Sequence, residues 1–346
     1  MKVCIIGAGA IGGFIGTRLA AAGRADVSAV ARGATLAALR QYGWRLQIGD
    51  RLVQAPACAS DQPGELGVQD LVVIAVKGPA LGAVAKGIAP LLGRDTIVLP
   101  AMNGVPWWFC HGVAGLGEAP LRSVDPGGGV ARAIPLAHVV GCVVHASTST
   151  PEPGLVQHRM GQGLIVGEPM GGKSDRVQRV ADLLAHAGFD AAHSANVRCD
   201  IWYKLWGNMT MNPVSAITGA TIDRVLADEL VRDFCSAAML EAAAIGDRIG
   251  CKIEQSPEDR HAVTAKLGAF KSSMLQDVEA GRAIELDAIV TAVQEMGQRL
   301  GRPMPNIDVL VGLTRLFGRV RGLYPDDERR VIHEPGSASS PAPPQT

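Results

Sequence analysis

The segment Gly7-Ala8-Gly9-Ala10-Ile11-Gly12 constrains this chain more than any other. It follows a β-branched run, Lys2 to Ile6, and leads into a helical pattern from Ile11 to Ala22, with a second strand pattern at Val27 to Ala31. Within such a strand-turn-helix-strand unit each glycine has its own job. The first permits the tight turn, the second lets main chain approach a pyrophosphate, and the third lets the helix lie close to the strand. The start of the helix then offers N–H donors and a positive dipole end to the phosphates. This order of elements predicts a dinucleotide held by Gly7, Ala8, Gly9, Ala10, Ile11 and Gly12.

The end of the second strand selects the dinucleotide. It reads Val30-Ala31-Arg32-Gly33, with no acid where an NAD site would place Asp or Glu to accept from the ribose 2′-hydroxyl. Asp26 precedes the strand and so lies at its wrong end. An arginine at the strand end pairs with a 2′-phosphate. NADP is therefore the expected cofactor, with Arg32 as the phosphate ligand.

Further strand patterns fall at Leu71–Val76, Thr96–Leu99, Val139–His145 and Gly163–Gly167, several apolar throughout, as suits parallel strands covered on both faces. Helical patterns at Ala80–Leu92 and Ser174–Ala187 alternate with them. Beyond about residue 196 only long helical patterns remain: Ile201–Ile217, Arg224–Ile249, Pro257–Glu279, Ile284–Leu300 and Asn306–Phe317. The expected fold is α/β, a Rossmann-type doubly wound sheet over residues 1–195 followed by an all-α domain over 196–328. The remainder, 329–346, is Pro/Ser/Ala-rich without apolar periodicity and is expected to be a disordered tail.

Composition excludes several functions. Lys+Arg 33 against Asp+Glu 33 leaves no net charge, whereas a nucleic-acid binder needs a basic surface. No apolar run approaches the roughly 20 residues of a membrane span, and the N-terminus lacks a signal-peptide cleavage pattern, so a cytoplasmic protein without membrane contact is expected. The seven cysteines are scattered and contain no C-x-x-C pair; they read as small core hydrophobes, with neither disulfide nor metal site expected.

The segment Trp202-Tyr203-Lys204-Leu205-Trp206-Gly207-Asn208-Met209-Thr210-Met211-Asn212-Pro213 carries a polar stripe inside an apolar helix. Lys204, Asn208 and Asn212 follow at i, i+4 and i+8, one helix face drifting by about 40° per step. Burying such a stripe is costly unless something hydrogen-bonds to it. Beside a carbonyl, an ammonium can protonate the oxygen that becomes an alkoxide as hydride arrives, while amides orient the substrate. The stripe points to ketone or keto-acid reduction.

These residues resemble the ketopantoate reductase (2-dehydropantoate 2-reductase) family over about residues 1–325. The resemblance is carried by the glycine loop, Val76-Lys77, Asn103-Gly104, Pro153-Gly154-Leu155-Val156-Gln157-His158, and Lys204-x-x-x-Asn208-x-x-x-Asn212-Pro213. It continues with Ser272-Ser273-Met274-Leu275-Gln276-Asp277, Glu285-Leu286-Asp287 and Gly301-Arg302-Pro303-Met304-Pro305. It implies NADPH-dependent reduction of a 2-keto acid, 2-dehydropantoate to (R)-pantoate, in pantothenate biosynthesis. It further implies Lys204 as general acid and Glu285 as a substrate-bonding catalytic partner. Asn103, Asn208, Asn212 and Ser273 become substrate contacts, with Asn103 also touching cofactor, and Lys77 a cofactor or cleft residue. Ser273 and Glu285 are twelve residues apart, about 120° out of phase on one helix, so a break at Gly281 is needed for both to face one cleft. A homodimer is common in the family.

Two departures bear on the substrate. Ten residues beyond Asn212, where many family members carry a further substrate-binding Asn, stands the apolar Ile222. The connection from Val105 to Ala137, with Trp107-Trp108-Phe109 and Gly127-Gly128-Gly129, is longer than usual. The aromatic cluster reads as a lid or substrate wall, admitting a bulkier 2-keto acid, or as core or dimer packing. A β-hydroxyacid dehydrogenase, which shares the Lys-x-x-x-Asn pair, is the enzymatic rival. A non-catalytic NADP-binding sensor is the other, though it gives no reason to keep Lys204, Asn208 and Glu285 together.

Overall fold

The computed structural model describes residues 1–326, so the expected tail at 329–346 lies outside the described residues. The chain opens with β1 (Lys2–Ile6), α1 (Ala10–Ala22), β2 (Asp26–Val30), α2 (Gly33–Tyr42), β3 (Trp44–Ile48), β4 (Arg51–Ala55) and β5 (Cys58–Ser60). It continues through β6 (Leu71–Ile74), α3 (Leu81–Gly87), β7 (Ile97–Pro100), α4 (Gly129–Ala133), the long pair β8 (Gly141–Glu152) and β9 (Leu155–Gly167), α5 (Asp175–His186) and β10 (Asp190–Ser194).

Two five-stranded sheets result. The first is parallel, ordered β5-β2-β1-β6-β7, with β1 in register against β2 and β6. Only the first residue of β1 is exposed and every residue of β6 and β7 is buried, which is why these strands read as continuous apolar runs. The second sheet, ordered β10-β9-β3-β4 with β8 on β9, departs from expectation. The two later strand patterns belong to it rather than to the parallel sheet, and they lengthen into a hairpin turning at Pro153-Gly154. One bridge, Val98 with Val139, links the sheets' edges. Helix α1 lies between them. Gly16 lets Trp44 of β3 close onto that helix, since a Cβ there would come within 2.5 Å of the indole.

From Val197 onward the described structure is helical: α6 (Val197–Thr218), α7 (Ile222–Ala227), α8 (Glu229–Arg248), α9 (Pro257–Ala265), α10 (Ser273–Glu279), α11 (Ala292–Arg299) and α12 (Pro305–Val320). Caps explain where expected helices divide. Asp228 accepts from Val231 N at 3.1 Å and starts α8, splitting the Arg224–Ile249 pattern. Ser272 accepts from Leu275 N at 3.1 Å and starts α10, splitting Pro257–Glu279. Gly281, at φ 64°, ends α10 as the break anticipated. The Ile284–Leu300 pattern begins as a π-helical turn, Asp287–Thr291, before α11.

One core fills the space between the sheets around Phe14, Ile15, Trp44 and Leu46. The other joins the opposite face of the parallel sheet, through Cys4, Ile6, Val72 and Ile74, to Trp202, Trp206, Met239 and Ile307 of the helical part. Five cysteines are buried as expected; Cys58 is exposed, and Cys199 is half-buried with its Sγ 3.2 Å from that of Cys251.

Candidate active site

The glycine turn sits at the carboxyl ends of β1 and β2, with Gly7 N donating to Val30 O at 3.0 Å. Gly7 has φ 89°, and a Cβ there would meet Val76 Cγ1 at 2.6 Å. A Cβ on Gly12 would come within 2.0 Å of Gly7 O, so only glycine lets α1 start this close to the strand. Gly9 faces open space, and as N-cap of α1 it supplies no side-chain partner to the first turn. The first N–H groups of a helix have no acceptor within it. The turn thus fits a phosphate-bearing dinucleotide, with a cradle at Gly9 that a side chain would fill. Arg32 stands exposed two residues past the end of β2, at the start of α2, while Asp26 opens β2 at its other end.

Three polar residues of the sequence reading meet in one small recess. Lys204 on α6 donates from Nζ to Asn103 Oδ1 at 2.8 Å and to Val144 O of β8 at 2.6 Å, and Asn208, one turn on, lines the same recess with Cys142. Both bonds fix the ammonium on the sheet side of α6. Burial pushes the Lys204 value down to about 8, partly offset by Cys142 and by the Glu285 carboxylate. An ammonium with such a value can give up a proton near neutral pH.

Glu285 lies before the π-helical turn and accepts from Gly78 N at 3.0 Å. Burial raises its carboxyl above the ordinary range, against the lowering effects of the Gly78 N–H, Lys77 and Lys204. Lys77, after β6, pairs with the buried Asp277 of α10, which also takes Arg282 Nη2 at 3.0 Å. Two contacts from residues 77 and 78 thus join the sheet to the helical part beside the recess.

The remaining candidates stand apart. Asn212 is 6% exposed, two turns beyond Lys204, and its Nδ2 has no partner among the described residues. Ser272 Oγ reaches Asn212 O at 3.5 Å, and Ser273 follows it, exposed at the first position of α10. Neither Asn212 nor Ser273 lines the recess. Ile222 is buried at the start of α7, its N–H on Phe270 O at 2.9 Å. Trp107, Trp108 and Phe109 are all buried; Phe109 stacks on Trp202 at 6.0 Å, while both tryptophans line a cavity of about 780 Å³ behind Asn103 and Glu285.

Sequence reasoning missed Val144 O, Gly78 N–H and Asp277. The first two are main-chain groups with no residue signature. Asp277 had one, since a lone acid at a buried helical position calls for a cationic partner.

Residues 3–171 match the model described as ketopantoate reductase PanE/ApbA, and residues 196–317 its C-terminal counterpart. A 2-dehydropantoate 2-reductase of Mesorhizobium japonicum is 44% identical over 94% of this chain and 100% of its own length. A solved Ralstonia solanacearum relative shares 53% identity at TM-score 0.89, covering 93% of this chain and 99% of that one. The PanE/ApbA family ketopantoate reductase of Ralstonia eutropha shares 28% at TM-score 0.79, covering 93% and 100%. With both family models matched in order and the Mesorhizobium relative aligned end to end, the chain belongs to the ketopantoate reductase family.

Proposed function

We propose that this protein reduces 2-dehydropantoate to (R)-pantoate with NADPH, residues 1–195 binding cofactor and 196–328 supplying most of the catalytic groups. The observation that carries the reading is the Lys204 ammonium, held by Asn103 and Val144 O with its proton labile near neutrality. Gly7–Gly12 would hold NADPH and Arg32 its 2′-phosphate, and the bound cofactor would supply the hydride that reduces the keto carbon. Lys204 Nζ gives its proton to the carbonyl oxygen, which becomes the new hydroxyl, and the lysine is reprotonated from solvent. Glu285 accepts a hydrogen bond from a substrate hydroxyl, Asn103 and Asn208, which share the recess with Lys204, orient the keto acid, Asn212 and Ser273 would reach it only from outside that recess, and Lys77 borders the cofactor.

The test follows NADPH absorbance with ketopantoate. Wild type should turn over, and Lys204→Ala should lose about 10²–10⁴-fold in kcat while still binding NADPH. Full turnover by the variant would refute the mechanism.

We place the enzyme in the cytoplasm; among the described residues no helix is long and apolar enough to cross a membrane. The exposed stripe Val309, Leu313, Leu316 and Val320 along α12 supports a homodimer through that helix. Light scattering should give twice the chain mass, and one chain mass for Leu313→Glu/Leu316→Glu.

A further inference from the structure

Two thiols far apart in sequence meet outside the Lys204 recess. Cys199 stands in the first turn of α6, and Cys251 follows the end of α8, 52 residues on. Their sulfurs lie 3.2 Å apart, and the Cys199 thiol also donates to Gly250 O at 3.4 Å. Both are free thiols; a formed disulfide holds its sulfurs at about 2.05 Å, so a closing movement of roughly 1.2 Å joins them. Neither residue lines the recess or the larger cavity beside it.

The main chain is arranged to make this contact. Gly250, at φ 76°, turns the chain back after α8, and Cys251 N donates to Gly246 O at 2.8 Å. A Cβ on Gly246 would meet Cys251 O at 2.6 Å and Trp202 Nε1 at 2.5 Å, so only glycine lets residue 251 lie this close to α6. On the other side, Asn196 caps α6 by accepting from Cys199 N at 3.4 Å. The two sulfurs differ in access. Cys199 is half-buried, whereas Cys251 is 1% exposed, and burial pushes its thiol up against the lowering effect of Arg198. The Arg198 guanidinium acts on both sulfurs, and a cation so placed favours the charge that a reacting sulfur carries. Among the described residues no group of three metal-ligating side chains forms, so the pair stands as a dithiol.

We propose that Cys199 and Cys251 are a peroxide-sensitive pair that closes to a disulfide, stapling the start of α6 to the end of α8. The Cys199 thiolate attacks one oxygen of hydrogen peroxide and the O–O bond breaks. The departing hydroxide takes up the proton that the thiol released and leaves as water, with a sulfenic acid on Cys199. The Cys251 sulfur then attacks that sulfur. The S–S bond forms, the S–O bond breaks, and the hydroxide leaves as a second water with the Cys251 proton. The two thiols give up two electrons and the peroxide takes them. In a reducing compartment the pair stays open until peroxide is present. A partner thiol this close also stops the sulfenic acid from climbing to sulfinic acid. Closing the loop restrains the unfolded chain, so oxidation stabilises the fold.

The experiment treats the full chain with hydrogen peroxide, in a Cys58→Ser background that removes its exposed thiol, and maps the product by mass spectrometry of a non-reducing tryptic digest. Peptide 199–204 should appear joined to peptide 249–252, lighter than their sum by two hydrogens and separated again by dithiothreitol. Oxidised protein should melt about 3–6 °C above reduced protein. Adding Cys251→Ser should leave sulfinic or sulfonic acid on Cys199 and no rise in Tm; adding Cys199→Ser should leave Cys251 a thiol. None of these readouts uses turnover, so they are independent of the reductase assignment. Cys199 still reduced after peroxide, or oxygenated without a link to Cys251, overturns the proposal. So does a link that leaves Tm unchanged.

Discussion

At the scale of single residues, the proposed mechanism turns on how one ammonium is held. Lys204 is buried enough to bring its value down to about 8, and its two acceptors are an amide oxygen and a main-chain carbonyl, neither of which removes the proton. If Lys204 is the donor proposed above, below pH 8 it carries the proton that the alkoxide takes, and above pH 8 that proton is lost. We therefore expect kcat/KM to fall about tenfold per pH unit above roughly 8. Lys204→Arg, whose guanidinium does not titrate in this range, should show no such limb in whatever activity remains. A profile flat to pH 10 in wild type would exclude Lys204 as donor. Arg32 makes the matching argument for cofactor choice. A charge-assisted bond to phosphate is worth about 1.5–3 kcal/mol, so Arg32→Ala should raise the KM for NADPH by about 10–100-fold and leave that for NADH nearly unchanged. Equal effects on both cofactors would remove the 2′-phosphate assignment.

At the scale of elements, α10 and the turn after β6 act as one unit. Asp277 is buried, and its carboxylate holds Lys77 from the sheet and Arg282 from beyond Gly281. Lys77 and Arg282 remain partly in water, which limits the loss on breaking the cluster to about 1–2 kcal/mol. Asp277→Asn should lower Tm accordingly and, by freeing Lys77, change NADPH affinity; an unaltered melting curve would mean the cluster contributes nothing. This unit also shows what a sequence can disclose. β6 and β7 were legible because each is apolar along its length, and β1 and β2 because each runs four buried residues after one exposed polar residue at its start. β3 and β4 were not, since Trp44–Ile48 alternates over only five residues and its partner β9 lies about a hundred residues away. The Lys204–Asn208 spacing was readable because a helix turns side-chain period into a face. Glu285 has no such pattern around it and came from the family resemblance, and the carbonyl and N–H that hold it and Lys204 carry no side-chain identity at all.

At the scale of the whole molecule, the change of character near residue 195 marks where strands stop, but the core does not stop there. Val3, Ile5, Leu71 and Val73 face one core within the sheet layers, whereas Cys4, Ile6, Val72 and Ile74, on the alternate positions of the same strands, face a core shared with α6, α8 and α12. Period-two alternation thus gives each central strand one face for its own half and one for the other. A fragment of residues 1–195 would expose the second face, including Trp107, Trp108 and Phe109, whose buried surroundings include Trp202. Patches of that kind bind hydrophobic dyes and aggregate. We expect the full chain to melt in a single transition, and the 1–195 fragment to bind anilinonaphthalene sulfonate and to lack NADPH affinity despite carrying the entire glycine loop. A fragment that stayed monomeric, melted cooperatively and bound NADPH would show that the sheet covers its own surface. The core common to both parts would then be a docking interface between independent units, and Lys204 would owe its place to docking rather than to folding.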